Sequence, residues 1–321
     1  MNKTLKAYAK LFLIYSPTFI KNKIQARAQQ MELQRAMDIA RRTHVKKDVF
    51  LTALRDFNFD SDIMLHCSMV NIGKIEGGAK FIASSLLDKM DLNNHTMLVS
   101  ALPHRGSFAS WLDNDYVFDV RTAPIAMGVV NERLAANPNT VRSIHPTHSV
   151  VAIGKDSKYY TAEHHLDKTP FGIHSPYYKL LKRRAKILLV GATQNNVTFI
   201  HAIEDMLGDV HPVKVYSKKK YSIKCVDNEG HQLYVETPVH SPWAGAFRDC
   251  SIMTNLLKDC DSIQISPIGE SSIMMFDCYK YTMVYLDYLA NGYSIYGRHR
   301  VTDALINRIE EIKLNLQVLD K

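Results

Sequence analysis

The sequence predicts an α/β protein, a layered α/β/α sandwich with a mixed central sheet and an antiparallel β-rich insertion. Two observations lead to this fold class. Short apolar runs alternate along the chain with helical segments, which is the pattern of a sheet covered by helices. From residue 214 to 235 the pattern becomes alternating and turn-rich, with a hairpin turn at 228–230. An antiparallel insertion is therefore expected at about 212–240.

The remaining elements follow from periodicity and from glycine and proline punctuation. Helices are expected over 25–42, 49–57, 79–90, 128–136, 178–184, 197–206, 279–290 and 301–319. Strands are expected over 63–68, 96–102, 150–153 and 186–190. Gly77 and Gly78 open the third helix, and Pro138 stops the fourth. A helical extension over 1–45 thus precedes one domain over 46–321.

Composition excludes two broad classes of protein. The 321 residues are 46% hydrophobic and 22% charged, which excludes disorder for most of the chain. The longest strongly apolar stretch, Leu11 to Ile20, contains Pro17 and has about half the ~20 residues that a membrane-spanning helix needs. Five cysteines without a CxxC pair favour reduced thiols and a cytoplasmic location.

The positive charge of the chain lies at its amino terminus. Residues 1–50 carry 11 Lys+Arg against 3 Asp+Glu, whereas 51–321 carry 29 of each. A basic amphipathic segment is typical of attachment to an anionic membrane surface, so we expect peripheral contact with the inner membrane through residues 1–42. The alternative is an arm that packs its apolar face on its own domain or on a second subunit, as in a homodimer. The neutral remainder argues against nucleic-acid binding.

A histidine and a carboxylate stand together on the predicted helix 197–206. His201 and Glu204 are three residues apart, so both side chains share one side of that helix. The helix follows an apolar strand that ends in small residues from Gly191, where a ligand can approach the backbone. A histidine beside a carboxylate at a strand's carboxyl end is a good position for a general base. The alternative is a structural pair, a satisfied core histidine beside an exposed carboxylate.

Six short elements, in order, resemble the aminoglycoside 3-N-acetyltransferase family. They are Leu-His-Cys-Ser-Met over 65–69, Met-Gly over 127–128, Arg-Ser-Ile-His-Pro-Thr-His-Ser over 142–149, His164, Ser-Pro over 175–176, and Asn-Val-Thr-Phe-Ile-His-Ala-Ile-Glu over 196–204. The resemblance covers roughly residues 46–290. It implies an acyl-CoA dependent N-acyltransferase domain over 46–321, with that family's own fold, which is unrelated to the GNAT acetyltransferases.

The resemblance also implies catalytic roles. His201 would be the general base that takes a proton from the acceptor amine. The orienting carboxylate would be Glu236 or Glu204, with Glu236 favoured because the family places an acidic residue after the β insertion. His164 belongs to the same motif series and is included in the catalytic set.

The implied cosubstrate is acetyl-CoA or another short acyl-CoA, and no metal is expected. The turn at Cys67 and Ser68 would supply backbone donors to the thioester oxygen. Cations, hydroxyls and loop residues would meet the coenzyme, namely Arg142, Ser143, His145, Thr147 and Ser149. An acid at Asp113 or Asp115 would help to hold the small-molecule amine acceptor.

Two departures from the family pattern bear on function. Cys67 stands where serine is more usual, and it is either a nucleophile that forms an acyl-enzyme or a small buried residue. A cationic antibiotic would require an acidic cleft, but 51–321 are neutral and a lysine cluster borders the insertion, at Lys218, Lys219, Lys220 and Lys224. This balance favours a nucleotide-linked amino sugar of the kind used in polysaccharide biosynthesis.

Three other functions are weighed against that acceptor. The first is acetylation of an aminoglycoside, which would confer antibiotic resistance. The second is a metal-dependent hydrolase built on His164, His201 and Glu204, which is disfavoured because no HExxH-like spacing is present. The third is a catalytically inactive relative that binds CoA without turnover.

Overall fold

The computed structural model describes residues 3–318 except 105 and 107. Its strands, in chain order, are β1 (His44–Val45), β2 (Ile63–Cys67), β3 (Lys74–Ile75), β4 (Thr96–Ser100), β5 (Val117–Asp119), β6 (Thr140–Arg142), β7 (Val150–Gly154), β8 (Lys186–Val190), β9 (Tyr216–Val226), β10 (Gln232–His240), β11 (Ile263–Ile268), β12 (Ser271–Asp277), β13 (Tyr293–Ser294) and β14 (Gly297–Arg298).

Helices occupy much of the chain between these strands. They are α1 (Lys3–Tyr15), α2 (Thr18–Arg42), α3 (Lys47–Leu54), α4 (Gly78–Lys89), α5 (Phe108–Leu112), α6 (Val129–Ala135), α7 (Ser157–Thr161), α8 (Pro176–Lys182), α9 (Ile200–Leu207), α10 (Pro242–Phe247), α11 (Ile252–Asp259), α12 (Cys278–Ala290) and α13 (Asp303–Val318). Among the described residues, no helix combines the length and the apolar character that crossing a membrane requires.

The central sheet has seven strands in the order β11-β12-β8-β2-β4-β7-β6. The three middle strands β8, β2 and β4 are parallel, and the flanking pairs are antiparallel. Neighbouring side chains on β2 enter opposite cores, with Ile63 and Leu65 in one and Met64 in the other. Because both faces are buried, the strands are apolar along their length rather than alternating.

Helices cover the sheet on both sides. The core that contains Ile63 is completed by α3, α4 and α6, and the core that contains Met64 by α8, α9, α11, α12 and α13. The expected α/β/α sandwich with a mixed sheet is therefore confirmed. The expected β-rich insertion is also present, since β9 and β10 form an antiparallel pair that β5 extends in parallel. This smaller sheet buries its own apolar cluster around Phe118 and Ile223.

The amino-terminal helices lie against the domain at two places. Helix α1 packs on α10, where the rings of Tyr8 and Phe247 meet edge to face at 5.7 Å. Helix α2 ends at Arg42, whose guanidinium donates to Glu270 at 3.0 and 3.2 Å. The functional division near residue 45 stays a prediction, although these contacts attach the extension to the rest of the chain.

Most predicted elements agree with the structure to within a few residues. The strand over 186–190 has the predicted ends, whereas the helix expected over 178–184 begins earlier, at Pro176. The reason is a cap: the Ser175 hydroxyl accepts from the Tyr178 N–H, and Pro176 occupies the first turn. The helices α10 and α11 are absent from the sequence-based assignment.

Candidate active site

Three parallel strands end side by side at one edge of the central sheet. The strands β4, β2 and β8 are neighbours that run in one direction, so their last residues Ser100, Cys67 and Val190 share that edge. Strand β7 starts at the same edge, because Val150 pairs with Ser100. In α/β sheets, ligands bind outside the carboxyl ends of parallel strands. The motifs singled out in the sequence therefore meet where a ligand site is expected.

A cavity of about 570 Å³ lies at this edge, and we call it the edge cavity. The loops after all three strands contribute to its wall, through Ser68, Leu102 and Asn196. Helix α2 adds Glu32 to the same wall. The amino-terminal extension therefore reaches the candidate site.

His201 and Glu204 form a buried hydrogen-bonded pair on α9. His201 Nδ1 lies 2.6 Å from Glu204 Oε2, and each residue is 2% exposed. The Tyr296 hydroxyl donates to the other carboxylate oxygen at 2.8 Å. Burial lowers the pKa of His201, although Glu204 opposes the shift. Burial alone would raise the pKa of Glu204, but its interactions with His201, His211 and Tyr296 together lower that pKa.

Arg248 contacts the second nitrogen of the same imidazole. Its guanidinium Nη1 lies 2.6 Å from His201 Nε2. A guanidinium only donates hydrogen bonds, so Nε2 must be the acceptor and the ring proton must lie on Nδ1, toward Glu204. The geometry thus assigns a neutral imidazole beside an ionised carboxylate. In that tautomer, Nε2 carries the lone pair that a general base uses to accept a proton. In this structure the lone pair accepts a hydrogen bond from Arg248.

A series of rings links this pair to the edge cavity. The His240 ring lies 4.2 Å from that of His201, between centroids. His240 in turn lies 6.0 Å from His148, and His148 lies 5.3 Å from Phe108, which lines the edge cavity. The pair is therefore two rings away from a residue of the cavity wall.

Three of these side chains could also be considered as metal ligands. Ligand atoms of His201, Glu204 and His240 lie within 4.8 Å of one another. However, the guanidinium of Arg248 already occupies His201 Nε2, and a second cation there would be repelled. The geometry therefore favours proton transfer over metal binding at this position.

His164 lies in an interior network rather than beside His201. Its Nδ1 is 2.9 Å from the Ser143 hydroxyl, and its Nε2 is 2.9 Å from the carbonyl oxygen of Pro170. The His145 ring stacks on it at 4.5 Å. Burial lowers the pKa of His164 to about 3. Both ring nitrogens are used within the fold, so the structure separates His164 from the His201–Glu204 pair with which the sequence grouped it.

The residues expected to bind coenzyme phosphates face inward. Arg142 donates four hydrogen bonds, to the carbonyl oxygens of Ala101, Ala123 and Pro124 and to the Ser149 hydroxyl. Four neighbours on the same loop have no exposed surface, namely Ser143, His145, Thr147 and Ser149. These side chains hold the loop at the sheet edge through hydrogen bonds to backbone and to neighbouring side chains, although His145 Nε2 is buried without a hydrogen-bond partner among the described residues. Their orientation therefore does not support the expected phosphate contacts.

Cys67 and Ser68 do lie at the edge cavity. The Ser68 N–H, however, donates to the carbonyl oxygen of Val190 at 2.9 Å, so it is not a free donor for a thioester oxygen. Burial raises the pKa of the Cys67 thiol to about 12. The thiol therefore stays protonated at neutral pH, which makes Cys67 a weak nucleophile.

Gly191 serves the packing of this edge. It has φ +67°, and a Cβ added there would lie 2.5 Å from the Ser68 carbonyl oxygen and 2.5 Å from a side-chain carbon of Ile72. The absence of a side chain at Gly191 therefore lets another segment of the same chain pack closely against this strand end. The sequence had suggested that a ligand would approach here instead.

The geometry does not support the preference for Glu236 as the orienting carboxylate. Glu236 is exposed on β10, and Glu204 holds the position at His201 Nδ1. Strand alternation turns Glu236 outward between its buried neighbours. The strand register then shifts between Pro238 and His240, so β10 contributes His240 to the pair instead.

The two acids expected to hold the acceptor lie on the surface. Asp113 forms an ion pair with Lys219 on β9, and Asp115 is exposed. Neither residue lines the edge cavity as the structure describes it. The ion pair neutralises one lysine of the cluster that favoured an anionic acceptor.

A second cavity of about 550 Å³ borders Glu204, and we call it the C-terminal cavity because α13 forms part of its wall. Asp205 and Tyr216 also line it. Burial raises the pKa of Asp205 to about 6, and the Tyr216 hydroxyl donates to this carboxylate at 2.7 Å. Glu204 therefore contacts His201 on one side and this cavity on another.

Sequence reasoning missed Arg248, His240 and Tyr296. Arg248 is 47 residues from His201 along the chain, and Tyr296 is 92 residues from Glu204. No local spacing connects such distant partners. Pro238, within the predicted hairpin, was the one local sign that β10 would break its alternation near His240.

A mixed α/β sandwich with a buried His–Glu pair near the carboxyl edge of its parallel strands defines a protein equipped for proton transfer. A family model described as aminoglycoside 3-N-acetyltransferase matches residues 64–290, more than two thirds of the chain. The chain therefore belongs to the aminoglycoside 3-N-acetyltransferase family, as its motifs indicated.

Curated relatives with this activity in their names match part of the chain. Aminoglycoside N(3)-acetyltransferase III of Pseudomonas aeruginosa is 29% identical over 153 residues, which cover 44% of this chain and 56% of the relative. Aminoglycoside N(3)-acetyltransferase IX of Micromonospora chalcea is 28% identical over 183 residues, which cover 53% and 63%. The chain thus spans somewhat more than half the length of the curated relatives it matches.

Solved structures agree over a larger share of the chain. AAC-IIIb in a binary complex with CoASH superposes with a TM-score of 0.62 at 21% identity, covering 78% of this chain and 98% of that one. The YokD protein from Bacillus subtilis superposes with a TM-score of 0.64 at 19% identity, covering 79% of this chain and 97% of that one. AAC-VIa bound to sisomicin superposes with a TM-score of 0.59 at 22% identity, covering 77% of this chain and 97% of that one. This likeness establishes the family-specific, non-GNAT fold.

Proposed function

We propose that the chain is an acetyl-CoA-dependent N-acetyltransferase whose acceptor is an amine of an aminoglycoside. The observation that carries the proposal is the buried His201–Glu204 pair in a member of this family. An acceptor ammonium must lose a proton before its nitrogen can attack a thioester. A neutral imidazole backed by an ionised carboxylate is suited to take that proton.

The proposed reaction is a direct transfer. His201 Nε2 takes one proton from the acceptor ammonium, and the free amine then forms a C–N bond to the acetyl carbonyl carbon. The C–S bond breaks while the nitrogen loses its second proton to water. The proton held by His201 passes to the departing thiolate, which leaves as the free thiol of CoA. Glu204 stabilises the imidazolium that exists between the two proton transfers of His201. A covalent route through Cys67 is disfavoured because burial raises its thiol pKa to about 12.

The edge cavity is the proposed place of the coenzyme's amide-containing arm, whose acetyl end would extend past His148 and His240 toward His201. It lies at the carboxyl edge of the parallel strands, and its wall combines the apolar side chains of Val70 and Val130 with the polar groups of Ser68 and Asn196. Such a mixed lining suits an amide-containing arm that ends in a thioester. The solved relative that carries CoASH has the same fold.

The acceptor proposal replaces the nucleotide-linked amino sugar that the lysine cluster favoured. The curated relatives are named for aminoglycosides, and one solved relative carries sisomicin. Within this chain, Lys219 is paired with Asp113, and the acidic residue Glu32 lines the edge cavity. Both features reduce the case for an anionic acceptor, and the second supports a cationic one.

The amino-terminal helix supports a peripheral membrane contact as a further part of this proposal. Leu5, Tyr8, Phe12 and Tyr15 follow the 3-4-3 spacing of one helix face, and they are between 59% and 77% exposed. The surplus of lysine and arginine in residues 1–50 suits an anionic lipid surface. A second copy of the chain is the competing occupant of this face.

The test is thiol release from acetyl-CoA in the presence of sisomicin, apramycin or a uridine-diphosphate amino sugar, with product masses measured. We expect acetylated sisomicin or apramycin, and almost no product with His201→Asn. Acetyl transfer to the nucleotide sugar alone would overturn the proposed acceptor, whereas the proposed transfer reaction would still stand. If a folded protein that binds acetyl-CoA releases no thiol with any amine of a broad panel, the chain is a catalytically inactive relative.

A further inference from the structure

We propose that Arg248 is a positioning residue that holds His201 in a closed resting state, and that the acceptor amine replaces it at Nε2. This inference rests on the proposed function, because it concerns the same base and the same acceptor. It adds a residue and a step that the family assignment does not contain. The step is an exchange of one donor for another at a single nitrogen.

The first argument is that the two donors exclude each other. An unprotonated imidazole nitrogen has one lone pair, and the Arg248 Nη1 is already 2.6 Å from it. The other ring nitrogen is committed to Glu204 at 2.6 Å. An acceptor N–H that gives its proton to His201 must therefore stand where the guanidinium now stands.

The second argument concerns charge. Five groups face or surround the imidazole: Glu204 on its own helix, His240 on β10, His211 after α9, Tyr296 between β13 and β14, and Arg248 after α10. Of these, Glu204 raises the proton affinity of His201, whereas Arg248 and His211 lower it. Departure of Arg248 therefore makes His201 a stronger base at the moment when the acceptor arrives.

The third argument is that Arg248 lies at the end of a short helix, α10, which has a solvent-exposed aromatic side chain and can therefore shift. Helix α10 has six residues, and Arg248 follows it directly, with its N–H bonded to the Ala244 carbonyl at 3.0 Å. The ring of Trp243 stacks on Phe247 at 4.7 Å and is 42% exposed. A small shift of α10 would withdraw the guanidinium without disturbing α9, which carries the base.

The decisive variant is Arg248→Gln, with Arg55→Gln as a matched control because Arg55 is an exposed arginine at the end of α3. Nitrogen-15 NMR of the histidine side chains in the free protein measures the His201 pKa, after assignment with His201→Asn. We expect Arg248→Gln to raise that pKa and Arg55→Gln to leave it unchanged. An unchanged His201 pKa in a folded Arg248→Gln protein would overturn the proposal.

Calorimetry with sisomicin tests the exchange itself. The amide of Arg248→Gln is shorter than the guanidinium and uncharged, so it competes less well for Nε2. Sisomicin binding is therefore expected to tighten by about threefold to tenfold at pH 8, because the closed state is easier to open. The acid limb of kcat/KM is expected to move to higher pH, and Arg248→Lys is expected to restore part of both effects. Weaker sisomicin binding by Arg248→Gln would overturn the proposal, since it would make Arg248 a contact of the acceptor.

The two levels of inference fail separately. If no amine is acetylated, the proposed function fails, but the NMR measurement in the free protein still decides whether Arg248 holds His201. If sisomicin is acetylated and Arg248→Gln changes neither the pKa nor the binding, the function stands and the role of Arg248 is refuted.

Discussion

The imidazole of His201 and the carboxylate of Glu204 meet across one turn of α9, with 2.6 Å between Nδ1 and Oε2. The histidine is therefore oriented by its own helix, and the hairpin that follows contributes a neighbour, His240, in place of a carboxylate. Such a local pair keeps its geometry as long as the helix is intact. The long-range partners, Arg248 and Tyr296, can then change position without loss of the pair.

The first prediction separates Glu204 from Glu236. Glu204→Gln should lower kcat by about 10²-fold, because a neutral amide cannot stabilise the imidazolium and its NH₂ group can donate to Nδ1, which moves the ring proton to Nε2. Glu236→Gln should leave kcat within about twofold, since this side chain is exposed on β10. Steady-state thiol release measures both, and far-ultraviolet circular dichroism verifies folding. Equal losses in the two variants would contradict the assignment of Glu204.

The second prediction concerns Cys67. Because burial raises its thiol pKa to about 12, Cys67→Ser should retain most of the acetyl-transfer rate, and iodoacetamide at pH 7.5 should modify the exposed Cys260 first. Intact-protein mass spectrometry after rapid mixing with acetyl-CoA should show no added acetyl group. An acetyl adduct that maps to Cys67 and decays on addition of the amine would establish the covalent route instead.

The sequence predicted the parts of the fold that depend on local patterns. Strand β8 and helix α12 are marked by strong apolar patterns and end at or just before a glycine, and their predicted bounds agree closely with the structure. The pair on α9 was found for the same reason, because a three-residue spacing on a helix is a contact. Glu236 points away from His201 because of regular strand alternation, and the register shift after Pro238 brings His240 to the pair instead.

Long-range contacts were beyond sequence reasoning. Arg142 has the composition of a phosphate ligand, yet the fold uses its donors on three backbone carbonyls and a hydroxyl. Burial lowers the pKa of this guanidinium to about 10. The loops around a cationic side chain decide whether it contacts a ligand or a backbone carbonyl. The spacing of residues in one sequence does not show how those loops fold. The same holds for Arg248 at His201.

The third prediction divides the amino-terminal extension into two parts. Removal of residues 1–16 takes away α1 with its exposed face, and it should reduce binding to phosphatidylglycerol vesicles while acetyl transfer is retained. Removal of residues 1–42 also takes away Glu32 from the edge cavity and the Arg42–Glu270 pair, so acetyl transfer should fall as well. Vesicle sedimentation and thiol release measure the two effects.

A pair of point variants controls for nonspecific effects of truncation. Phe12→Glu changes a 70% exposed residue of α1, and Leu314→Glu changes a 62% exposed residue of α13. Only the first should weaken vesicle binding. If Phe12→Glu instead converts a dimer to a monomer by light scattering, with vesicle binding unaffected, the exposed face is an interface between copies. If the shorter truncation abolishes transfer in a folded protein, α1 belongs to the site.

The last prediction is a loss of stability in acid. Five histidines are at most 7% exposed and have a lowered pKa, mainly because burial disfavours the charged ring: His66, His145, His148, His164 and His201. A lowered pKa means that the unfolded state binds protons which the folded state does not. Stability is therefore complete above the unfolded pKa of about 6.5 and is lost as pH falls through it.

Each histidine that stays neutral down to pH 5.5 should cost about 1.4 kcal/mol of unfolding free energy between pH 7.5 and 5.5, and a ring with a smaller pKa shift should cost less. Asp205, whose pKa burial raises to about 6, acts in the opposite direction and offsets less than one histidine. Urea denaturation at pH 7.5, 6.5 and 5.5 measures the sum. His164→Asn should reduce the pH dependence by about one histidine's share, whereas His231→Gln, at an exposed position, should not change it. A stability that stays constant down to pH 5.5 would show that these rings are not held neutral, and the neutral tautomer assigned to His201 would fall with them.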